Sequence, residues 1–271
     1  MKRVSTLALP LLLAALACAE EVGPPLPESA SAAEMADVQK RARWLEIVHV
    51  GEACANFTAS PAKCQEPSHW AYKMGEQTFS LTQPDAADPK DRGYQPLSKS
   101  YTEHMVQVGK STEDPERKGL STMEVVLYAD YRTPAKIVVD AFVTTAMAGG
   151  VWKMYVACST GLLPVFLPID RGVMPSVSRE GTALEVRVLV RLEPTTHLPQ
   201  FGVGEKPANS TGELEKQLTD AFAHLKERFP TVSFPLIVES TSEVPLQSLI
   251  DAITTGRKVG FQNVQLAVPG R

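Results

Sequence analysis

The chain has 271 residues, 44% of them hydrophobic, and a formal net charge of -4 at pH 7. A mature protein of roughly 250 residues is long enough for two domains of ordinary size. Removing residues 1–17 takes away two positive charges, Lys2 and Arg3, and no acidic residue, so the net charge changes from -4 to -6. A mildly acidic chain without a basic stripe argues against nucleic-acid binding.

The N-terminus has the features of a secretory signal. Lys2 and Arg3 precede an almost purely apolar run, Leu7–Ala17. A basic start followed by a short apolar run is typical of signal peptides. The run is far shorter than the roughly 20 residues that a membrane-spanning helix needs. We therefore interpret residues 1–17 as a signal peptide and expect the chain to be exported.

Two processing routes compete at the end of this signal. Ala15-Leu16-Ala17-Cys18 is similar to a lipobox, which predicts that Cys18 becomes the lipid-bearing first residue. Ala17-Cys18-Ala19 could instead serve ordinary signal peptidase, with plain secretion as the result. The Pro-rich residues 18–33 favour the lipoprotein, because they are typical of a flexible tether. We expect outer-membrane anchoring, since Ala19 supplies no acidic inner-membrane signal; a soluble periplasmic or secreted protein is the alternative.

The first half of the mature chain has weak local signals. Residues 34–49 are predicted as a helix, because apolar residues recur on one side at helical spacing. Residues 82–100 and 109–120 are polar and contain Pro or Gly, so we expect loops there. The apolar residues between these loops, Met105 to Val108, suggest a short strand.

The three cysteines after Cys18 fall into two groups. Cys54 and Cys64 lie in a loop-like stretch with nine residues between them. An oxidising compartment favours a disulfide between them, and a pair of buried thiols is the alternative. Cys158 ends an apolar strand and is predicted to be a small core residue.

One pattern then occurs twice, with an offset of 110 to 111 residues. The first copy has an apolar run, Val125–Asp130, then Pro134, an amphipathic helical stripe, Gly150 and a second apolar run, Met154–Ala157. Proline is favoured in the first turn of a helix, and glycine is favoured just after its end. The stripe has i, i+3, i+4, i+7 spacing, given by Ala135, Val138, Val139 and Phe142.

The second copy repeats these signals in the same order. An apolar run, Leu236–Glu239, leads to Pro245, and Gly260 precedes the last apolar run, Val264–Ala267. The helical stripe keeps its spacing, with Leu246, Leu249, Ile250 and Ile253. Each copy therefore predicts strand, helix and parallel strand, the βαβ connection.

Further elements precede the second copy. Residues 184–192 alternate between apolar and polar side chains, which predicts a half-buried strand. Residues 193–212 contain several Pro and Gly and are predicted as a long functional or mobile loop. Ser210 and Glu213 have capping-box spacing, and an apolar stripe follows over residues 213–229. We predict a helix there.

The region from Leu214 to Val268 resembles the periplasmic domain of the ExbD/TolR family of biopolymer-transport proteins. The similarity lies in the order of small signals, such as Pro235-Leu236-Ile237-Val238-Glu239, then Val244-Pro245-Leu246, then Arg257-Lys258-Val259-Gly260-Phe261. The resemblance covers about 100 residues of the second half and about 35 residues of the first half. It implies an α+β fold of two tandem modules with mixed sheets and helices packed on one face. The expected modules are residues 34–160, degenerate, and residues 161–271.

The chain departs from this family in two ways. Members have an N-terminal transmembrane helix with an intramembrane Asp that takes part in proton-driven motor action, and such a group is costly and functional. Because the only long apolar run is Leu7–Ala17, that role does not carry over to this chain. The stretch Gly109–Thr122 is also too short to match the helix over residues 213–229. The first module is therefore expected to be partial, unless helix 34–49 takes that place.

Candidate catalytic residues are few. The five histidines show no metal-ligand spacing, so no metal or cofactor is expected. Asp140 and Asp251 recur at equivalent helix positions and could form an acid pair, but solvent-facing helix carboxylates are the ordinary interpretation. We expect a protein that is not an enzyme.

The first functional hypothesis is a non-enzymatic periplasmic binding or assembly protein of an envelope transport or motility system. Its partners would be envelope proteins or peptidoglycan, and its two modules could form an internal pseudo-dimer. One docking route would add a partner strand to a sheet edge. A second hypothesis is an envelope hydrolase or small-ligand enzyme with a site near residues 193–212. A third is a purely structural lipoprotein.

Overall fold

The computed structural model describes residues 26–50, 66–82, 94–165, 185–241 and 243–267. These residues form two mixed β-sheets and five α-helices, so the predicted α+β class is confirmed. Among them, no helix is both long and apolar enough to cross a membrane.

The first sheet has strand order β3-β2-β1-β5-β6-β7, with the short β4 paired to β5. Its central strands β1, β5 and β6 run parallel, whereas β2, β3 and β7 are antiparallel to their neighbours. The strands are β1 (Arg43–His49), β2 (Trp70–Met74), β3 (Gln77–Ser80), β4 (Glu113–Asp114), β5 (Arg117–Tyr128), β6 (Val151–Cys158) and β7 (Gly161–Val165); the helices beside them are α1 (Ala36–Arg41), α2 (Lys99–Ser111) and α3 (Ala135–Gly149).

The second sheet has strand order β10-β9-β8-β11-β12. Strands β8, β11 and β12 run parallel, and β9 and β10 extend the sheet antiparallel. The strands are β8 (Val186–Leu192), β9 (Pro199–Val203), β10 (Lys206–Ala208), β11 (Pro235–Ser240) and β12 (Asn263–Leu266); the helices are α4 (Thr211–Arg228) and α5 (Leu246–Val259).

The two strand orders match element by element. The path β3-β2-β1-β5-β6 has the same directions and connections as β10-β9-β8-β11-β12. Helices α2 and α4 occupy the same place in the order, and so do α3 and α5. We call these the first unit and the second unit. The first unit lacks none of the elements of the second, so the prediction of a partial first copy is wrong. Strand β7 belongs to the first sheet, which therefore extends beyond residue 160.

Several local predictions for the first unit are also wrong. The helix expected over residues 34–49 is the short α1 followed by β1, where Leu45 and Ile47 are buried at the two-residue period of a strand. The strand expected near Met105 is part of α2, whose buried residues Tyr101, Met105 and Val108 have helical spacing. Long helices and alternating strands share such short apolar patterns, so spacing alone does not separate them.

The helix ends follow the sequence signals closely. Ser210 accepts a hydrogen bond from the Glu213 backbone N–H at 3.2 Å, as the capping box predicts. Gly150 and Gly260 end α3 and α5 with φ of 64° and 117°, the left-handed region that favours glycine. Pro134 and Pro245 precede the first helical residue rather than occupying the first turn.

The segment expected to be a loop over residues 193–212 contains β9, β10 and the start of α4. Its exposed face carries a row of hydrogen bonds, from Arg191 to Gln200 Oε1 at 2.8 Å and from Gln200 Nε2 to Asn209 Oδ1 at 2.8 Å. The loop was predicted because the segment contains several Pro and Gly residues, but short edge strands tolerate both. The prediction of a long loop over residues 193–212 is therefore wrong.

Candidate functional site

The two units meet at the residues that define the repeat. Pro134 and Pro245 form an isolated antiparallel bridge. The Ala135 backbone N–H donates to the Val244 carbonyl at 2.7 Å, and the Leu246 N–H donates to the Thr133 carbonyl at 2.8 Å. Each bond joins residues that occupy the same places in the two copies, with donor and acceptor exchanged. This reciprocity is what a local two-fold relation produces.

The junction is closed to solvent. Thr133 and Val244, which supply the two carbonyl groups, both have 0% exposure. One apolar cluster includes buried side chains of both units, such as Phe142 of α3 and Leu249 of α5. Further along α5, the Arg257 guanidinium donates to the carbonyl oxygen of Pro164 in β7. The two units therefore share a core as well as a backbone bridge.

Residues 26–33, which we call the strap, bind the second unit along α5. The Glu28 N–H donates to Gln247 Oε1 at 2.8 Å, and Gln247 Nε2 donates back to the Glu28 carbonyl at 3.0 Å. The Ser29 hydroxyl lies 2.8 Å from that of Thr254. The side-chain amide of Gln247 thus pairs with the strap backbone much as a neighbouring strand would.

The strap also binds the first unit at the β6–β7 turn. The Ser159 N–H donates to the Pro27 carbonyl at 3.0 Å, and Ala33 and Leu162 exchange two backbone bonds of 3.1 and 2.8 Å. Gly161 lies beside this bridge with φ of 140°, and a Cβ there would lie only 2.4 Å from the Ala33 oxygen. The glycine is what allows this close approach. Residues 26–33 are therefore bound to both units, which contradicts a flexible tether for that part of residues 18–33.

Asp140 lies inside the first unit rather than on its surface. The residue is 4% exposed, and its carboxylate accepts hydrogen bonds from Tyr72 Oη at 2.7 Å, from Tyr94 Oη and from the Leu97 N–H at 2.9 Å. Burial raises the pKa of this carboxyl, and the donated hydrogen bonds oppose that rise. The solvent-facing interpretation is wrong for Asp140, which fixes the chain entering α2 against α3.

Asp251, the repeat partner of Asp140, has a different environment. It is half-buried on α5, and its Oδ1 accepts a hydrogen bond from Gln247 Nε2 at 2.7 Å. Burial is the largest effect on the pKa of Asp251 and raises it. The hydrogen bond from Gln247 opposes this rise, and the charge of the nearby Glu28 adds to it. The two aspartates lie in different units with different partners, so the structure does not bring them together as an acid pair.

Glu124 is a buried carboxylate that the sequence reading missed. It is 5% exposed and accepts two hydrogen bonds from Arg41, of 2.6 and 3.0 Å, with the Lys153 ammonium at 3.5 Å. The Arg41 hydrogen bond lowers the pKa of Glu124, against the effect of burial. These groups line an open cavity of about 370 Å³. The sequence signal that could have indicated this site was a single carboxylate, Glu124, within the apolar part of β5.

The remaining candidates are dispersed over the described parts of the chain. These parts contain no group of three or more His, Cys, Asp or Glu that could hold a metal ion. His49 packs against the Trp70 ring, and His104 against the Phe79 ring. Cys158 is a buried free thiol, as predicted, and burial raises its pKa to about 12, which leaves it unreactive.

Cys18, Cys54 and Cys64 lie outside the described residues, so the lipidation and disulfide predictions remain predictions. The structure instead brings together Pro134 with Pro245, and the strap with α5 and the β6–β7 turn. No protein-family model matches this sequence, and no curated protein matches it.

Proposed function

We propose that the protein is a non-enzymatic binding and assembly component of an envelope transport or motility system in the bacterial periplasm. The reciprocal bridge between Pro134 and Pro245 is the observation that carries this proposal. Two units of equal topology share a backbone bridge and a core, which supports an internal pseudo-dimer. Covalent linkage supplies a high effective concentration, and binding surfaces on both units are presented together.

The resemblance to ExbD/TolR periplasmic domains supports the same class. In this proposal the driving motor is a different chain. We expect the partners to be envelope proteins or peptidoglycan, with no cofactor and no nucleic acid.

Lipidation of Cys18 would place this pseudo-dimer close to the membrane. The strap begins at residue 26, eight residues after Cys18. Eight fully extended residues span at most about 26 to 29 Å. The bound strap therefore keeps the anchor short, and both units would stay within reach of partners at the same membrane.

Two measurements test this proposal. Envelope fractionation of a Cys18→Ser variant should show loss of membrane association, whereas Cys158→Ala, which removes a cysteine buried in the core, should fractionate as the unchanged protein does. Unchanged association of Cys18→Ser would contradict the lipid anchor. Chemical crosslinking in intact cells should recover at least one envelope protein or peptidoglycan. Recovery of neither above background would overturn the binding role and favour a purely structural lipoprotein.

A third measurement addresses the pseudo-dimer. Nuclear magnetic resonance relaxation should give one rotational correlation time for amides of both units, because the bridge and the shared core make them move together. Two clearly different correlation times would mean that the units tumble independently, and the pseudo-dimer would fail.

A further inference from the structure

A groove of about 710 Å³ lies between the outer edge of β3 and the helix α2. Phe79 of β3 and His104 of α2 both line it, and their rings are in contact, with centroids 5.1 Å apart. Phe79 is only 7% exposed and supplies an apolar base. The rim carries polar side chains, including Glu103.

The edge of β3 offers free backbone groups to this groove. Successive backbone groups of a strand point to opposite sides, and the Leu81 N–H points inward to Trp70 O whereas the Thr82 N–H points outward to Leu97 O. By the same alternation, the N–H and C=O groups of Ser80 and Thr78 point outward. Among the described residues, no hydrogen bond crosses this outer edge at Thr78 or Ser80. An unpaired edge of this kind accepts a further strand.

His104 contributes ring surface to the groove. Its Nε2 atom is enclosed and makes no hydrogen bond to the described part of the chain. Burial and the nearby Arg43 lower the pKa of His104. Because Nε2 has no solvent exposure, a bound peptide meets His104 by packing against the ring and not through a hydrogen bond to this nitrogen.

In the second unit, the residue at the helix position equivalent to His104 forms a hydrogen bond to the edge strand. Gln217 precedes the buried Leu218 of α4, just as His104 precedes the buried Met105 of α2. The Gln217 Nε2 donates to the Pro207 carbonyl of the edge strand β10 at 2.9 Å. Pro207 also has no N–H to offer. The chain thus closes this edge in the second unit, whereas the edge in the first unit keeps its donors and acceptors.

We propose that the groove between β3 and α2 binds an extended peptide segment of another protein as an added strand beside β3. The peptide backbone pairs with Thr78 and Ser80, and a peptide side chain packs against the part of the His104 ring that lines the groove. An apolar peptide side chain rests on Phe79. Glu103, which has no ion pair within the described residues, favours a basic residue in the peptide. This proposal rests on the proposed function, because it names the surface where a partner docks.

Selection from a phage-displayed library of random heptapeptides tests the site. The selection uses the full mature chain as bait and Thr78→Pro as the counter-selection bait. Proline at 78 removes one outward N–H and leaves the inward bonds from β3 to β2 intact, so the fold should persist. Circular dichroism and the melting temperature of each variant check this point.

Enriched peptides should alternate apolar and polar residues, carry a Lys or Arg and lack a central proline. By fluorescence anisotropy, Thr78→Pro should weaken their binding at least about tenfold, because it removes a backbone donor to the peptide, and His104→Ala about fivefold, because it removes ring surface that lines the groove. Gln217→Ala is the matched control, because it changes the equivalent helix position of the other unit. Its binding should equal that of the unchanged chain.

Failure to enrich any peptide that distinguishes the unchanged chain from Thr78→Pro would overturn the proposal. Binding that Gln217→Ala weakens as much as His104→Ala would overturn it as well. These outcomes are separate from failure of the proposed function. An envelope protein that crosslinks equally to Thr78→Pro in cells leaves the binding role standing and removes this groove as its site.

Discussion

The outer faces of the two sheets differ, although the strands behind them are arranged alike. In the first sheet, one cross-strand row is Trp44, Val126 and Tyr155; in the second sheet, the equivalent row is Arg187, Ile237 and Gln265. The first row is covered by the N-terminal segment, with Val38 of α1 packed against Val126. The second row is open at Arg187, which is exposed. Two sheets of the same strand order can therefore carry outer faces of different character, one covered by the N-terminal segment and one open at Arg187.

The repeat residues show the same division between backbone and side chain. Pro134 and Pro245 pair with each other, and Gly150 and Gly260 end equivalent helices. The aspartates at equivalent positions have different partners. A duplicated pattern therefore preserves backbone roles more reliably than side-chain roles.

The largest expected effect separates the two aspartates. Asp140→Ala should lower the free energy of unfolding by about 3 kcal/mol, because two tyrosine hydroxyls and one backbone N–H lose a buried acceptor. Asp251→Ala is the matched control and should cost about 1 kcal/mol or less, since only Gln247 loses a partner. Urea unfolding measures both values. Equal losses would show that the burial of Asp140 makes no difference to stability.

The next prediction compares a glycine that lies against the strap, Gly161, with a glycine in open space, Gly204. Gly161→Ala should destabilise the protein by about 2 kcal/mol, because the new Cβ meets the Ala33 carbonyl and the φ is unfavourable for alanine. Gly204→Ala is a control with φ of 61° and no atom within 4 Å of the new Cβ, so it tests backbone strain alone. Its expected cost is about 1 kcal/mol.

Hydrogen exchange locates the effect of Gly161→Ala. The amides of Ala33 and Leu162 should exchange faster, because the strap no longer closes on β7. The amides of Ala135 and Leu246 report whether the junction loosens with it. Unchanged protection at Ala33 would mean that the close approach at Gly161 does not hold the strap.

The contributions of Glu124 and Asp140 to the free energy of unfolding should depend on pH in opposite directions. The pKa of Glu124 is lowered in the folded state, so its stabilisation is present above the unfolded pKa and is lost as pH falls through the folded value. The pKa of Asp140 is raised, so its stabilisation is present below the unfolded pKa and is lost as pH rises through the folded value.

Unfolding curves over the acid range test these signs. Glu124→Gln should cost about 1 kcal/mol at neutral pH, a modest value because its partner Arg41 is exposed, and the cost should shrink in acid. Asp140→Asn should remove the loss of stability that accompanies rising pH in this range. Parallel pH curves for both variants and the unchanged chain would contradict the assigned shifts.

The sequence predicted the parts of the fold that depend on local rules. The glycine helix ends, the Ser210 cap, the buried Cys158 and the order of the βαβ copies follow from backbone preference and spacing. Helix α2 was missed because its polar residues outnumber the buried Tyr101, Met105 and Val108. The strap and the burial of Asp140 were missed because both depend on residues far away in the chain, such as Gln247 and Tyr72. No local pattern records those partners.

The smallest expected effect tests the comparison of the outer faces directly. Arg187→Ala should change the free energy of unfolding by no more than about 0.5 kcal/mol, because the exposed guanidinium pairs with Glu185 and Glu239 in solvent. Trp44→Ala, at the equivalent place in the covered row, should cost about 2 kcal/mol, since it removes half-buried aromatic surface and a hydrogen bond to Gln39. Chemical unfolding of both variants measures the difference. If Arg187→Ala cost as much as Trp44→Ala, the second face would be as tightly packed in solution as the first, and an occupant would have to be sought there.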